Sequence, residues 1–111
     1  MIDWKEYSGQ LMEDVGQFAK LAPDTMRGLI AIGSAPAKHL HPKVHELIAL
    51  SVAVTTRCDG CIAVHAQAAL KHGATREEIA EALGVAIALN AGAALTYTTR
   101  VLDAVSVFEK S

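Results

Sequence analysis

Two cysteines, three prolines and five aromatic side chains are all that this 111-residue chain carries of the residues that usually staple, punctuate or bulk out a small protein. With one pair of thiols at most to bridge, a disulfide framework is excluded as the source of stability. An excess of positive charge is absent too. Ten Lys and Arg stand against twelve Asp and Glu, a formal charge of −2, so nothing is available to neutralise a phosphate backbone and nucleic-acid binding is not expected. The most apolar run, Ala82 to Leu95, is too short to span a bilayer and contains Asn90, and Met1-Ile2-Asp3-Trp4-Lys5-Glu6 has no signal-peptide core. These absences lead to an expected cytoplasmic location and no membrane partner. In that compartment an isolated cysteine pair is more often catalytic or metal-binding than structural. What remains, 51% hydrophobic and 20% charged residues, describes one globular domain over residues 1–111.

Alternating apolar and polar residues bounded by turn signals are also missing, so no sheet is predicted. Helical spacing takes their place, and the expected fold is an all-α bundle of about five to six helices. Leu11, Val15, Phe18 and Leu21 mark a first helix ended by Pro23, and Asp24 is placed to cap a second running to about Ala35. After a loop over Ser34 to Leu40, His41 and Pro42 open a third helix whose expected buried stripe is Val44, Leu47, Ile48, Val52 and Thr55, fraying near Arg57. A fourth runs from about Cys58 to Lys71 and is closed by His72-Gly73, glycine accepting the left-handed conformation beyond a helix end. Thr75 with Glu78 forms a capping box for the next, whose face is Ile79, Leu83, Ala86, Ile87 and Asn90. Gly92 is expected to end it, leaving a last helix from Ala93 to Phe108.

Twenty alanines are spread over helices apolar on more than one side, as in Leu47 to Val54 and Ile79 to Leu95. A chain this short has little interior in which to hide such surface, which points to a homo-oligomer rather than an isolated alanine-rich bundle.

The chemistry concentrates between Glu46 and His65. Glu46 is followed by eleven other residues, then Cys58-Asp59-Gly60-Cys61, then His65. C-x-x-C is the spacing at which two thiols close a small reversible disulfide at a helix N-terminus. Positions 58, 61 and 65 fall on one helical face, with His65 one turn beyond Cys61. His65 is placed to take the Cys61 proton, and Glu46 on the preceding helix to orient the imidazole, which completes a nucleophile, base and orienter set. Two other readings compete: a pair of small buried hydrophobes, or a zinc site using Cys58, Cys61 and His65, for which no second C-x-x-C or H-x-x-x-H is present. His39, His41, His45 and His72 are expected to be structural or solvent-facing. His45 neighbours Glu46 in sequence but is expected to point elsewhere. Trp4 and Tyr7 are left as packing residues of the core or of a neighbouring subunit.

The runs His45-Glu46-Leu47-Ile48-Ala49-Leu50, Arg57 to His65 and Ala69 to Ala82 resemble the carboxymuconolactone decarboxylase family in its AhpD-like alkylhydroperoxidase branch, over about half of the chain. The resemblance implies an all-α, oligomeric protein, a trimer or a hexamer, whose catalytic residues are Glu46, Cys58, Cys61 and His65, with Cys58 and Cys61 as the redox disulfide. It implies a thiol-dependent peroxidase or disulfide reductase with no cofactor or metal. The substrate is a peroxide or small disulfide, and the reductant a dithiol protein or lipoyl-type partner. The alternatives are a carboxymuconolactone decarboxylase-like lyase, disfavoured because decarboxylation has no use for paired thiols, and a non-enzymatic oligomeric or zinc-binding module. Two features depart from the branch. Its best-known peroxidases carry a second histidine where this chain has Gly60, so that part of the proton relay is expected to be missing or taken over by water. The chain is also shorter than the two-repeat peroxidases, as a single-repeat member would be.

Overall fold

A computed structural model describes residues 1–111 as five α-helices and no strand: α1 Trp4–Leu21, α2 Pro23–Gly33, α3 Pro42–Thr56, α4 Asp59–Lys71 and α5 Arg76–Glu109. Most of the ends are explained by the residues standing there. Asp3 caps α1 by accepting from the Glu6 amide at 3.2 Å, and the His41 Nδ1 accepts from the Lys43 amide at 3.0 Å, with Pro42 in the first turn of α3. Thr75 and Glu78 exchange both bonds of the capping box, at 3.0 and 2.9 Å. Gly73, at φ 84°, turns the chain between α4 and α5 in a conformation that costs glycine nothing. Asp24 does not cap α2. It lies inside the first turn paired with Arg27, and Pro23, whose ring already holds a helical φ, starts the helix without a side-chain cap.

The middle of the fold is α3, which packs against α4 on one side and α5 on the other, while α1 lies on α4 and α2 touches only α1. Leu50, Ala69 and Ala74 form a small core, surrounded by Leu47, Ala66, Ile79 and Leu83. Small residues let α3 and α5 approach closely. There Ser51 Oγ is within reach of both the Leu47 and the Ala82 carbonyl oxygens, at 3.0 and 3.2 Å.

Two sequence expectations are corrected by this packing. The residues buried on α3 are Glu46, Leu50 and Ala53, whereas Val44, Ile48, Val52 and Thr55 are exposed and line an open apolar groove of about 510 Å³ against Val85, Ala86 and Leu89 of α5. Of the predicted stripe only Leu47 packs against the core, and this chain leaves the other four positions exposed. Gly92 likewise fails to end a helix, and α5 runs unbroken for 34 residues. One glycine costs a helix only about 1 kcal/mol, and without a proline or a capping group nearby the backbone ladder continues through it.

Candidate active site

The α3–α4 junction sets the geometry. Arg57 ends α3 in the left-handed conformation at φ 56°, and the Cys58 amide donates back to the Ala53 carbonyl at 3.0 Å, so the chain reverses sharply instead of fraying. That reversal makes Cys58 the N-cap of α4, with its Sγ 3.1 Å from the Cys61 amide. Cys58 and Cys61 are joined as a disulfide with Cα atoms 5.2 Å apart, and both are only partly buried. Unsatisfied N–H groups and the positive end of the helix dipole therefore face Cys58, an arrangement that favours negative charge on its sulfur when the bond opens.

Glu46 projects from α3 to the α4 face that carries these sulfurs. Its Oε2 lies 2.6 Å from His65 Nδ1, a bond that joins residues nineteen apart in sequence and turns the imidazole relative to the helix that carries Cys61. The carboxylate is buried, at 8% exposure. Burial by itself pushes its pKa up, but hydrogen bonds from His65 and His45, reinforced by their charge, outweigh burial and hold Glu46 below the ordinary carboxylate value. Glu46 on α3 is thus joined to His65 on α4, the helix that Cys58 caps and that carries Cys61 in its first turn. No group of three or more His, Cys, Asp and Glu side chains converges with metal-binding geometry.

Two features lie outside the sequence reading. His45 does not point away. Its Nδ1 is 3.2 Å from Glu46 Oε1, so a single carboxylate stands between two imidazoles. Adjacent residues on a helix do not normally face each other, and helical spacing holds no signal for this contact. The second feature is α1, which lies across the C-x-x-C turn. A Cβ built on Gly60 would stand 3.1 Å from Leu11 Cδ2 and 3.9 Å from the Tyr7 hydroxyl. The space beside residue 60 is thus bordered by side chains of α1, and within α1 Trp4 packs edge-on against the Tyr7 ring with centroids 5.9 Å apart. The approaches of Leu11 and Tyr7 to Gly60 join residues some fifty positions apart, and composition gives no hint of them.

The geometry agrees with the relationships of the chain. Residues 19–104 match the carboxymuconolactone decarboxylase family. An uncharacterized protein of Haemophilus influenzae is 50% identical over 107 residues, 95% of each chain, and one of Cupriavidus necator is 36% identical over 92 residues, 79% of this chain and 77% of the relative. Among solved structures, a carboxymuconolactone decarboxylase family protein from Legionella pneumophila superposes with a TM-score of 0.70 at 33% identity, covering 90% of this chain and 91% of its own. On the strength of the family match and of the shared fold, the chain belongs to the carboxymuconolactone decarboxylase family.

Proposed function

We infer that this protein is a thiol-dependent peroxidase or disulfide reductase of the AhpD-like kind. The observation that carries the reading is the Glu46–His65 bond beside a closed C-x-x-C at the start of α4. In the reduced protein His65 takes the Cys61 proton, and the resulting thiolate attacks the distal oxygen of a hydroperoxide. The O–O bond breaks, Cys61 becomes a sulfenic acid, and the imidazolium returns the proton to the departing alkoxide as alcohol. Cys58, as thiolate, then attacks the sulfenic sulfur, forming the disulfide and releasing hydroxide, which takes up the Cys58 proton as water. Two electrons have passed from two thiols to one peroxide. An external dithiol, a small protein or a lipoyl-type group, resets the pair by exchange. A lyase reading shares the fold, but it leaves Cys58 and Cys61 without a task.

The same reading includes self-association. The chain exposes 8874 Å², whereas a folded monomer of its mass exposes about 5,900 Å². An excess of about 3,000 Å² is the size of an obligate subunit interface. Its apolar part is spread over the α3–α5 groove, the outer faces of α1 and α2, and the far half of α5, where Leu95, Leu102 and Phe108 are between 66% and 75% exposed.

The decisive test is peroxide consumption by the reduced protein with a panel of dithiol reductants, from dithiothreitol to dihydrolipoamide. Turnover that disappears in Cys58→Ser and Cys61→Ser variants is expected. Turnover unaffected by loss of either cysteine, or none with any peroxide or disulfide, would overturn the reading.

A further inference from the structure

Glu46 is the one charged residue in the buried set, and each of its two oxygens has a single protein partner: Oε2 takes His65 and Oε1 takes His45. The His45 contact is not an accident of sequence proximity, because consecutive side chains on a helix diverge by about 100° and must bend toward each other to meet. The His45 ring is 52% exposed, so it gives up solvent-facing freedom to reach a side chain that is 11% exposed. No other charged group competes for this carboxylate. The nearest cation along α3, Lys43, is engaged by Glu78 of α5 at 2.8 Å, and α4 contributes only His65.

We propose that His45 is a positioning residue of the redox site, fixing the plane of the Glu46 carboxylate so that its second oxygen is held on His65 Nδ1. This rests on the thiol-redox reading given above. A carboxylate anchored at one oxygen can rotate about its last torsion, whereas one anchored at both presents a fixed acceptor. The imidazole it serves then keeps one tautomer, with Nδ1–H on Glu46 and Nε2 free to act as the base. His45 touches neither thiol in this arrangement and acts only through Glu46.

The test needs no peroxide. Rates of iodoacetamide alkylation of Cys61 are measured against pH in the reduced Cys58→Ser background, and the Glu46 carboxyl carbon is titrated by NMR in the same protein. With His45→Ala the Glu46 carboxyl is expected to titrate at higher pH, and alkylation of Cys61 near neutrality is expected to slow by about threefold to tenfold, the kinetic equivalent of one hydrogen bond. His45→Gln, which keeps a donor, should restore most of both. A folded His45→Ala protein with the parent alkylation profile overturns the proposal even if Glu46 shifts, because His45 would then merely satisfy a buried oxygen. A Cys61 that alkylates like an ordinary thiol before His45 is changed overturns the thiol reading and this proposal together; an activated Cys61 indifferent to His45 overturns this one alone.

Discussion

His65 and Cys61 stand one turn apart on α4, and their order on the helix makes separable predictions for each thiol. Removing the base with His65→Gln should slow peroxide reduction by about 10²- to 10⁴-fold, the usual worth of a positioned general base, measured as the second-order rate of oxidation of the reduced protein. Cys58→Ser should leave the first oxidation of Cys61 intact and trap a sulfenic acid that dimedone labels. The label appearing instead in Cys61→Ser would make Cys58 the attacking thiol, a role for which its capping position also suits it. Glu46 carries a pH prediction. Its folded value lies below the ordinary 4.5, so its ionised form contributes stability that is present above that pH and is lost as pH falls through the folded value. Glu46→Gln should remove that acid-side dependence, seen as a flatter melting temperature below about pH 4.5 in thermal scans. Cys58, Cys61 and His65 stand out in the sequence because they sit at helical spacings, and Glu46 because it lies on the preceding helix within reach of that face. His45 does not, since its contact with Glu46 defies the spacing rule, and neither does the approach of Leu11 and Tyr7 to Gly60.

At the scale of elements, starts are written more clearly than ends. Capping is local chemistry, and Thr75 with Glu78 illustrates it, both bonds being present at the start of α5. Thr75→Ala should destabilise the protein by about 1 kcal/mol, read from urea unfolding as a lower midpoint with an unchanged slope. The sequence reading places a break at Gly92 that α5 does not make, because a glycine ends a helix only where the chain has reason to turn. Length matters here, since 34 residues of helix extend about 51 Å, far past the only neighbour that α5 has, α3. An 18-residue window of α5 reaches a mean hydropathy of 1.6, long and apolar enough by composition to cross a membrane. Asn90 interrupts that apolar surface, and its amide is held within the chain, donating to Thr55 of α3 at 2.8 Å and to the Ala86 carbonyl at 2.7 Å.

The whole molecule is drawn out. Its radius of gyration is 18.9 Å, against about 13 Å for a compact domain of 100 residues, and only 7 of 111 residues are buried. A second copy covering the α3–α5 groove is the economical account, and light scattering at low micromolar concentration should return a multiple of 11.7 kDa. A monomer in solution, or one that floats with phospholipid vesicles, would refute it. Val52→Glu, in the groove and outside the Glu46, Cys58, Cys61 and His65 set, should dissociate such an assembly while leaving the reduced protein's thiols reactive.

What the sequence by itself determined is local and periodic: the starts of α3, α4 and α5, the C-x-x-C at a helix N-terminus, and His65 one turn beyond it, because capping and helical phase are properties of neighbouring residues. Only the tertiary structure decided which apolar faces close on one another, that the α3 stripe stays open while Glu46 is buried, and that Glu46 is shared by two histidines. Those outcomes depend on how α3, α4 and α5 cross. The crossing is set by packing small side chains against one another over long sequence separations, and no window along the chain contains both partners.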